Sequence, residues 1–308
     1  MQILVYTRDH PRYTEALRLV APDADIRGAA TLAEAQPHLE GTEILFAWGL
    51  EPDAIARMPR LRWIQWLGAG VDLVLPGLPD SVTLTRVVGA FSTVMAEHVF
   101  AYLLALRRGV FEMRALQEAH VWRRLTGRSL QGQRLGVAGL GSIGGEIVRV
   151  GRTFGMEIWG LSRSLHSAEI CDRHFLPKEM RQFAAGVDAL VLVLPKTAET
   201  DGIVDRAVLR GMREGSILIN IGRGNAVVES DLAQALAEGR PAMAQLDVFE
   251  REPLPAESPL WDLPNCFISA HSSGPSEPHL VRTFAAANLE RFLRGGELVG
   301  VVDPQRGY

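Results

Sequence analysis

Cysteine is nearly missing from this chain of 308 residues; Cys171 and Cys266 stand far apart and in no CxxC or zinc-type spacing. That scarcity excludes a disulfide framework and a structural metal site, and it fits a reducing cytoplasm. Long hydrophobic runs are missing too. The strongest, Val99 to Leu106, falls well short of the roughly 20 residues a membrane span needs and reads as a buried helix. Met1 to Arg12 has no basic stretch leading into an apolar core, so no secretory signal is expected. Nor is there an excess of positive charge: 32 Lys and Arg against 36 Asp and Glu leave a net charge of -4. Nucleic-acid binders concentrate cations against phosphates, so nucleic acid is not the expected partner, and a membrane is not either. No HExxH-type ligand cluster, solenoid-period repeat or low-complexity tract occurs.

What is present is ordinary globular material, 47% hydrophobic and 22% charged, in a chain long enough for two domains. Short runs rich in Ile, Val and Leu recur: Ile3-Val5, Ile44-Ala47, Trp63-Leu67, Val82-Leu84, Leu135-Ala138, Ile158-Leu161, Ala189-Leu194, Ile217-Ile221, Met243-Val248 and Phe267-Ala270. Each reads as a buried parallel strand. Amphipathic stretches such as Tyr13 to Val20 and Asp231 to Ala237 lie between them, and this βα rhythm predicts an α/β protein of two doubly wound parallel sheets. Glu97 to His120 reads as one long helix joining the halves. A turn-rich break at 272–278 precedes a helical pattern from Leu280 to Leu293, which is expected to return to the first domain. The expected division is therefore residues 1–97 with 277–308, and 98–276, with hinges near 97 and 275.

Near mid-chain, Gly139-Leu140-Gly141-Ser142-Ile143-Gly144 forms a GxGxxG run between an apolar strand and a helix marked by Ile143, Ile147, Val150 and Phe154. Such a turn lets backbone N–H groups approach a pyrophosphate at the positive end of the helix, so a dinucleotide is expected there. About 20 residues on, an acid would hold a ribose 2′-hydroxyl and an arginine would suit a 2′-phosphate. The chain reads Leu161-Ser162-Arg163-Ser164, with Glu157 at the wrong end of the strand. Ser162, Arg163 and Ser164 therefore point to NADP(H) over NAD(H). Further on, polar residues follow apolar strands: Arg223 in Asn220-Ile221-Gly222-Arg223-Gly224, Glu252 after Asp247-Val248-Phe249-Glu250-Arg251, and His271 after Ser269-Ala270. Ligands of such sheets bind at strand carboxyl ends, where these three would converge.

In those blocks, taken in order, the chain resembles the D-2-hydroxyacid dehydrogenases, most nearly the glyoxylate/hydroxypyruvate reductases. The resemblance implies a flavodoxin-like substrate domain and a Rossmann cofactor domain with a cleft between them. It implies catalytic roles for Arg223, Glu252 and His271: Arg223 gripping substrate oxygens in a planar fork, protonated His271 giving a proton to the developing alkoxide, and Glu252 holding the other ring nitrogen. Leu67-Gly68-Ala69-Gly70-Val71-Asp72 is similar to the family's carboxylate-binding loop, which makes Ala69 and Gly70 substrate residues, and Val302 to Tyr308 is similar to tails of the narrower group. Pro195 is placed with the cofactor residues and Asp247 at the nicotinamide carboxamide. Trp48, Trp66 and Trp122 are candidates for narrowing the site toward short substrates. The implied function is NAD(P)H-dependent reduction of a short 2-keto acid, in a cytoplasmic homodimer. The alternatives are a sister dehydrogenase for a larger 2-keto acid, formate or phosphite, and a nucleotide-sensing module without turnover.

Overall fold

The computed structural model describes residues 1–274 and 278–307. It divides into two compact units, Met1–Phe91 with Ser276–Tyr308, and Ser92–Pro275. The first unit holds five parallel strands, β1 (Gln2–Tyr6), β2 (Asp25–Ala29), β3 (Ile44–Ala47), β4 (Trp63–Trp66) and β5 (Thr83–Thr85), in the order β2-β1-β3-β4-β5. This is the flavodoxin-like order. The second holds seven, β6 (Arg134–Ala138), β7 (Glu157–Leu161), β8 (Arg173–Phe175), β9 (Ala189–Leu192), β10 (Ile217–Asn220), β11 (Met243–Leu246) and β12 (Cys266–Ile268). Their order, β12-β11-β10-β9-β6-β7-β8, is the Rossmann arrangement with one added edge strand, and it reverses between β6 and β9. Central strands such as β3, β4, β9 and β10 are buried at every position because helices cover both faces.

The apolar runs located every strand except two. β2 reads Asp-Ile-Arg-Gly-Ala and β8 reads Arg-His-Phe, and both sit at sheet edges. An edge strand is covered incompletely and tolerates charge, so it need not carry an apolar signature, although the other two edges, β5 and β12, do. The helix expected over Glu97 to His120 is two helices, Ser92–Arg108 and Val110–Glu118. Gly109 divides them in the left-handed region at φ 69°, a conformation that glycine adopts without a Cβ penalty and that ends a helical run. The first of these helices opens the second unit, so the residue 97 boundary and hinge fall inside a helix. The hinge near 275 and the 276/277 boundary lie outside the described residues, as does Tyr308.

In the first unit the helix Pro278–Leu293 places Val281, Ala285 and Leu289 on one buried stripe. Asn288 on that stripe is fully buried yet satisfied: its Nδ2 donates to Gln65 Oε1 and to Val299 O, both at 2.8 Å. Phe292 stacks on Trp63 at 4.9 Å between ring centroids. Among the described residues no helix is long and apolar enough to cross a membrane.

Candidate active site

At the carboxyl end of β6 the glycine run makes the turn that the sequence predicts, and its three glycines do different things. Gly139 has φ 100°, and a Cβ there would lie 2.4 Å from Val193 O. At Gly144 a Cβ would lie 1.9 Å from Gly139 O. These two glycines let the helix Ser142–Thr153 start hard against the strand, with Ile147 and Val148 buried on its inner side. Gly141 is the reverse case: a Cβ would meet nothing within 4 Å. It is also the N-cap of that helix and has no side chain to bond the first N–H groups. A cradle open at Gly141, beside uncapped N–H groups at a positive helix end, fits the pyrophosphate of a dinucleotide. Ser142 and Ile143 form the first turn of the helix, and Pro195 follows β9 on the other side of the reversal point.

Arg163 follows β7, and its Nη1 lies 3.2 Å from Glu199 Oε2. Ser162 Oγ donates to Ser164 O at 2.8 Å and lies 2.9 Å from His174 Nε2. Neither Glu199 nor His174 carries a sequence signal, because each comes from a different connection, after β9 and within β8.

The other end of the sheet's carboxyl edge is held by side chains. Asn220, 1% exposed at the end of β10, accepts from Gly222 N at 3.1 Å and donates to Arg223 O at 3.0 Å, fixing the turn that carries Arg223. Arg223 Nη1 donates to Gly222 O at 2.8 Å. Gly224 packs so closely that a Cβ would lie 1.8 Å from Phe249 C, which sets this turn against the loop after β11. On that loop Glu252 Oε1 accepts from Phe249 N at 3.0 Å, and its Oε2 lies 2.7 Å from His271 Nδ1. The structure thus pairs the predicted acid and histidine directly, with His271's side chain 55% exposed.

His271 sits at φ 50°, a left-handed geometry that costs a non-glycine residue about 1 to 3 kcal/mol and persists only where neighbours over-determine it. The neighbour here is Asp247. Its backbone oxygen accepts from His271 N at 2.8 Å, and its carboxylate accepts from Ser272 N at 2.7 Å, Ser273 N at 3.0 Å and Ser269 Oγ at 2.6 Å. Burial alone would raise this carboxyl, but the bonds from Ser269, Ser273 and Ser272 outweigh it and hold it below its ordinary value. The resemblance placed Asp247 at the nicotinamide carboxamide; the structure gives its carboxylate to the serines around His271, so a bond to the cofactor would be additional to these. His98 continues the chain, 3.4 Å from Ser269 Oγ, and burial lowers its pKa against the opposing pull of Asp247. Ser269, Ser272 and Ser273 were not predicted as site residues; serines after a strand read as turn.

In the first unit Ala69 and Gly70 lie partly exposed on the turn after β4, and Trp48 follows β3, 46% exposed and in a T-shaped contact with Phe91. Trp66 is a core residue at 5% exposure, so it offers no pocket wall. Trp122, in the second unit, is fully exposed.

Residues 100–273 match the family model described as D-isomer specific 2-hydroxyacid dehydrogenase, NAD binding domain. Glyoxylate/hydroxypyruvate reductase A of Klebsiella pneumoniae (strain 342) is 31% identical over 318 aligned positions, covering 100% of each chain. The protein of the same name from Serratia proteamaculans (strain 568) is 33% identical over 269, covering 85% of this chain and 86% of its own. Among solved structures, the NADPH-dependent glyoxylate/hydroxypyruvate reductase of Sinorhizobium meliloti, in complex with NADP and sulfate, superposes with a TM-score of 0.90. It is 32% identical, with 100% of this chain and 99% of that one covered.

Proposed function

Because the chain belongs to the D-isomer specific 2-hydroxyacid dehydrogenase family, we propose that it reduces a short 2-keto acid of the glyoxylate or hydroxypyruvate kind to the D-2-hydroxy acid, with NADP(H) preferred over NAD(H). The observation that carries this reading is the 2.7 Å pair of His271 and Glu252 at the carboxyl edge of a dinucleotide sheet. When bound, the reduced nicotinamide supplies the hydride, and the protein supplies orientation and charge. Glu252 holds Nδ1, which directs Nε2 of the half-exposed ring to the substrate oxygen, and His271 protonates that oxygen as it gains negative charge. Asp247 and the serines keep the ring's backbone in its left-handed geometry, so the donor is positioned before substrate arrives. Arg223 makes the two-pronged contact to the carboxylate and carbonyl oxygens that only a planar guanidinium permits. Ala69 and Gly70, with Trp48, are proposed as substrate-binding residues, the small pair exposing backbone N–H groups to the carboxylate.

The test is a panel of short and long keto acids followed by loss of reduced-nicotinamide absorbance with both cofactors. Turnover of glyoxylate or hydroxypyruvate, faster with NADPH, is the expected result. Preference for bulky keto acids would replace the substrate with a larger one, and tight cofactor binding without any turnover would leave only a nucleotide sensor. We also propose a cytoplasmic homodimer. Val110, Phe111, Met113, Val121 and Trp122 expose an apolar stretch of one short segment, the kind of surface a partner copy covers, and sedimentation of the wild type against Trp122→Ala tests it.

A further inference from the structure

We propose that Glu199 is a specificity residue for the cofactor: it competes with a 2′-phosphate for Arg163 and accepts a 2′-hydroxyl, so nucleotide choice is set by an acid–base pair and not by Arg163 alone. The inference rests on the dinucleotide reading above. β7 and β9 are the two neighbours of β6, which carries the glycine turn. Adjacent strands lie about 4.8 Å apart, so residues leaving β7 and β9 can meet only by reaching across the mouth of that turn. Arg163 and Glu199 do so at 3.2 Å.

Glu199 is placed there by its loop. Thr200, 9% exposed, donates from Oγ to Pro195 O at 2.6 Å, and Thr197 N donates back to Thr200 Oγ at 3.0 Å. Asp201 N closes the turn on Thr197 O at 3.1 Å. The carboxylate projects from this closed turn with its side chain 61% exposed, within reach of a ligand.

The position at the end of β7 is where such folds discriminate: an acid takes the ribose hydroxyl, a cation the phosphate. The strand itself offers the cation only; the acid arrives through space, from 36 residues further on. A dianionic 2′-phosphate must draw the guanidinium away from Glu199 and lie near a carboxylate. A ribose hydroxyl can instead donate to Glu199 while the ion pair stays closed. Exposed ion pairs shift equilibria by up to about fivefold.

The test is Glu199→Gln, which keeps shape and removes charge, read by calorimetric titration of NADPH, NADH, adenosine 2′,5′-bisphosphate and adenosine 5′-monophosphate. Affinity for the two 2′-phosphorylated ligands should rise about two- to fivefold relative to their unphosphorylated counterparts. The change should shrink in an Arg163→Ala background, where no guanidinium remains to be released. An unchanged ratio, or all four ligands moving by one factor, overturns the proposal. If keto acids are not reduced but the ratio shifts, the enzymatic reading fails and Glu199 stands; if turnover is intact and the ratio does not move, Glu199 alone fails.

Discussion

One sheet edge carries two candidate sites built by opposite means. Around β6 and β7 the cradle is made of what is left out: Gly139 and Gly144 have no side chain where backbone must pass, and Gly141 leaves open space. Around β10, β11 and β12 the arrangement is made of side chains that hold one another. Asn220 fixes the Arg223 turn, Glu252 faces His271, and Asp247 ties down residues 269–273. A phosphate is recognised by backbone N–H groups, which any sequence supplies once the turn is tight enough. A proton donor of the kind proposed for His271 needs one atom held in one place, and a side-chain network does that.

The contrast should appear as a division between turnover and cofactor affinity. Replacing His271 with Gln is expected to slow keto-acid reduction by about 10² to 10⁴-fold while nucleotide titrations stay near those of the parent; a loss confined to cofactor affinity would collapse the distinction. Arg223→Lys keeps the charge and loses the fork, and steady-state kinetics should show kcat/KM reduced by roughly 10 to 100-fold, the worth of one charged hydrogen bond. Within the glycine turn two alanine substitutions should separate. Gly144→Ala forces a Cβ against Gly139 O and is expected to cost about 1 to 3 kcal/mol of stability by denaturant unfolding. Gly141→Ala should fold normally and weaken NADPH by about tenfold, near 1.4 kcal/mol; equal stability losses in both would refute their separate roles.

Acid sensitivity gives the smallest effect. Because Asp247's carboxyl is held below its ordinary value in the folded chain, its contribution is present above the unfolded carboxyl range near 3.9. It is lost as pH falls toward the depressed folded value. Asp247→Asn should flatten that acid limb of stability in the second unit. If the limb is unchanged, the carboxylate is not what holds the His271 turn.

Much of the fold could be read from short apolar runs, because strands covered on both faces must be apolar throughout. β2 and β8 escaped since edges need not be. The helix break at Gly109 escaped as well: a lone glycine in a helical pattern is compatible with either a tolerated residue or a left-handed stop, and only the φ of 69° distinguishes them. The strand-end positions of Arg223, Glu252 and His271 were legible because each stands at a fixed offset from a recognisable strand. Ser269, Ser272 and Ser273 look like turn residues until the buried carboxylate they serve is seen.

Sequence alone determined the two sheets, the glycine turn and the residue types at the strand ends, since all of these depend on local spacing and on which side chains water rejects. Tertiary structure decided partnership. That Glu252 holds Nδ1 of His271, that Asp247 stabilises a left-handed histidine, and that the acid absent from the end of β7 reaches Arg163 as Glu199 all depend on parallel strands delivering distant loops to one edge. Strand order, unlike strand content, is set by the packing of the whole domain.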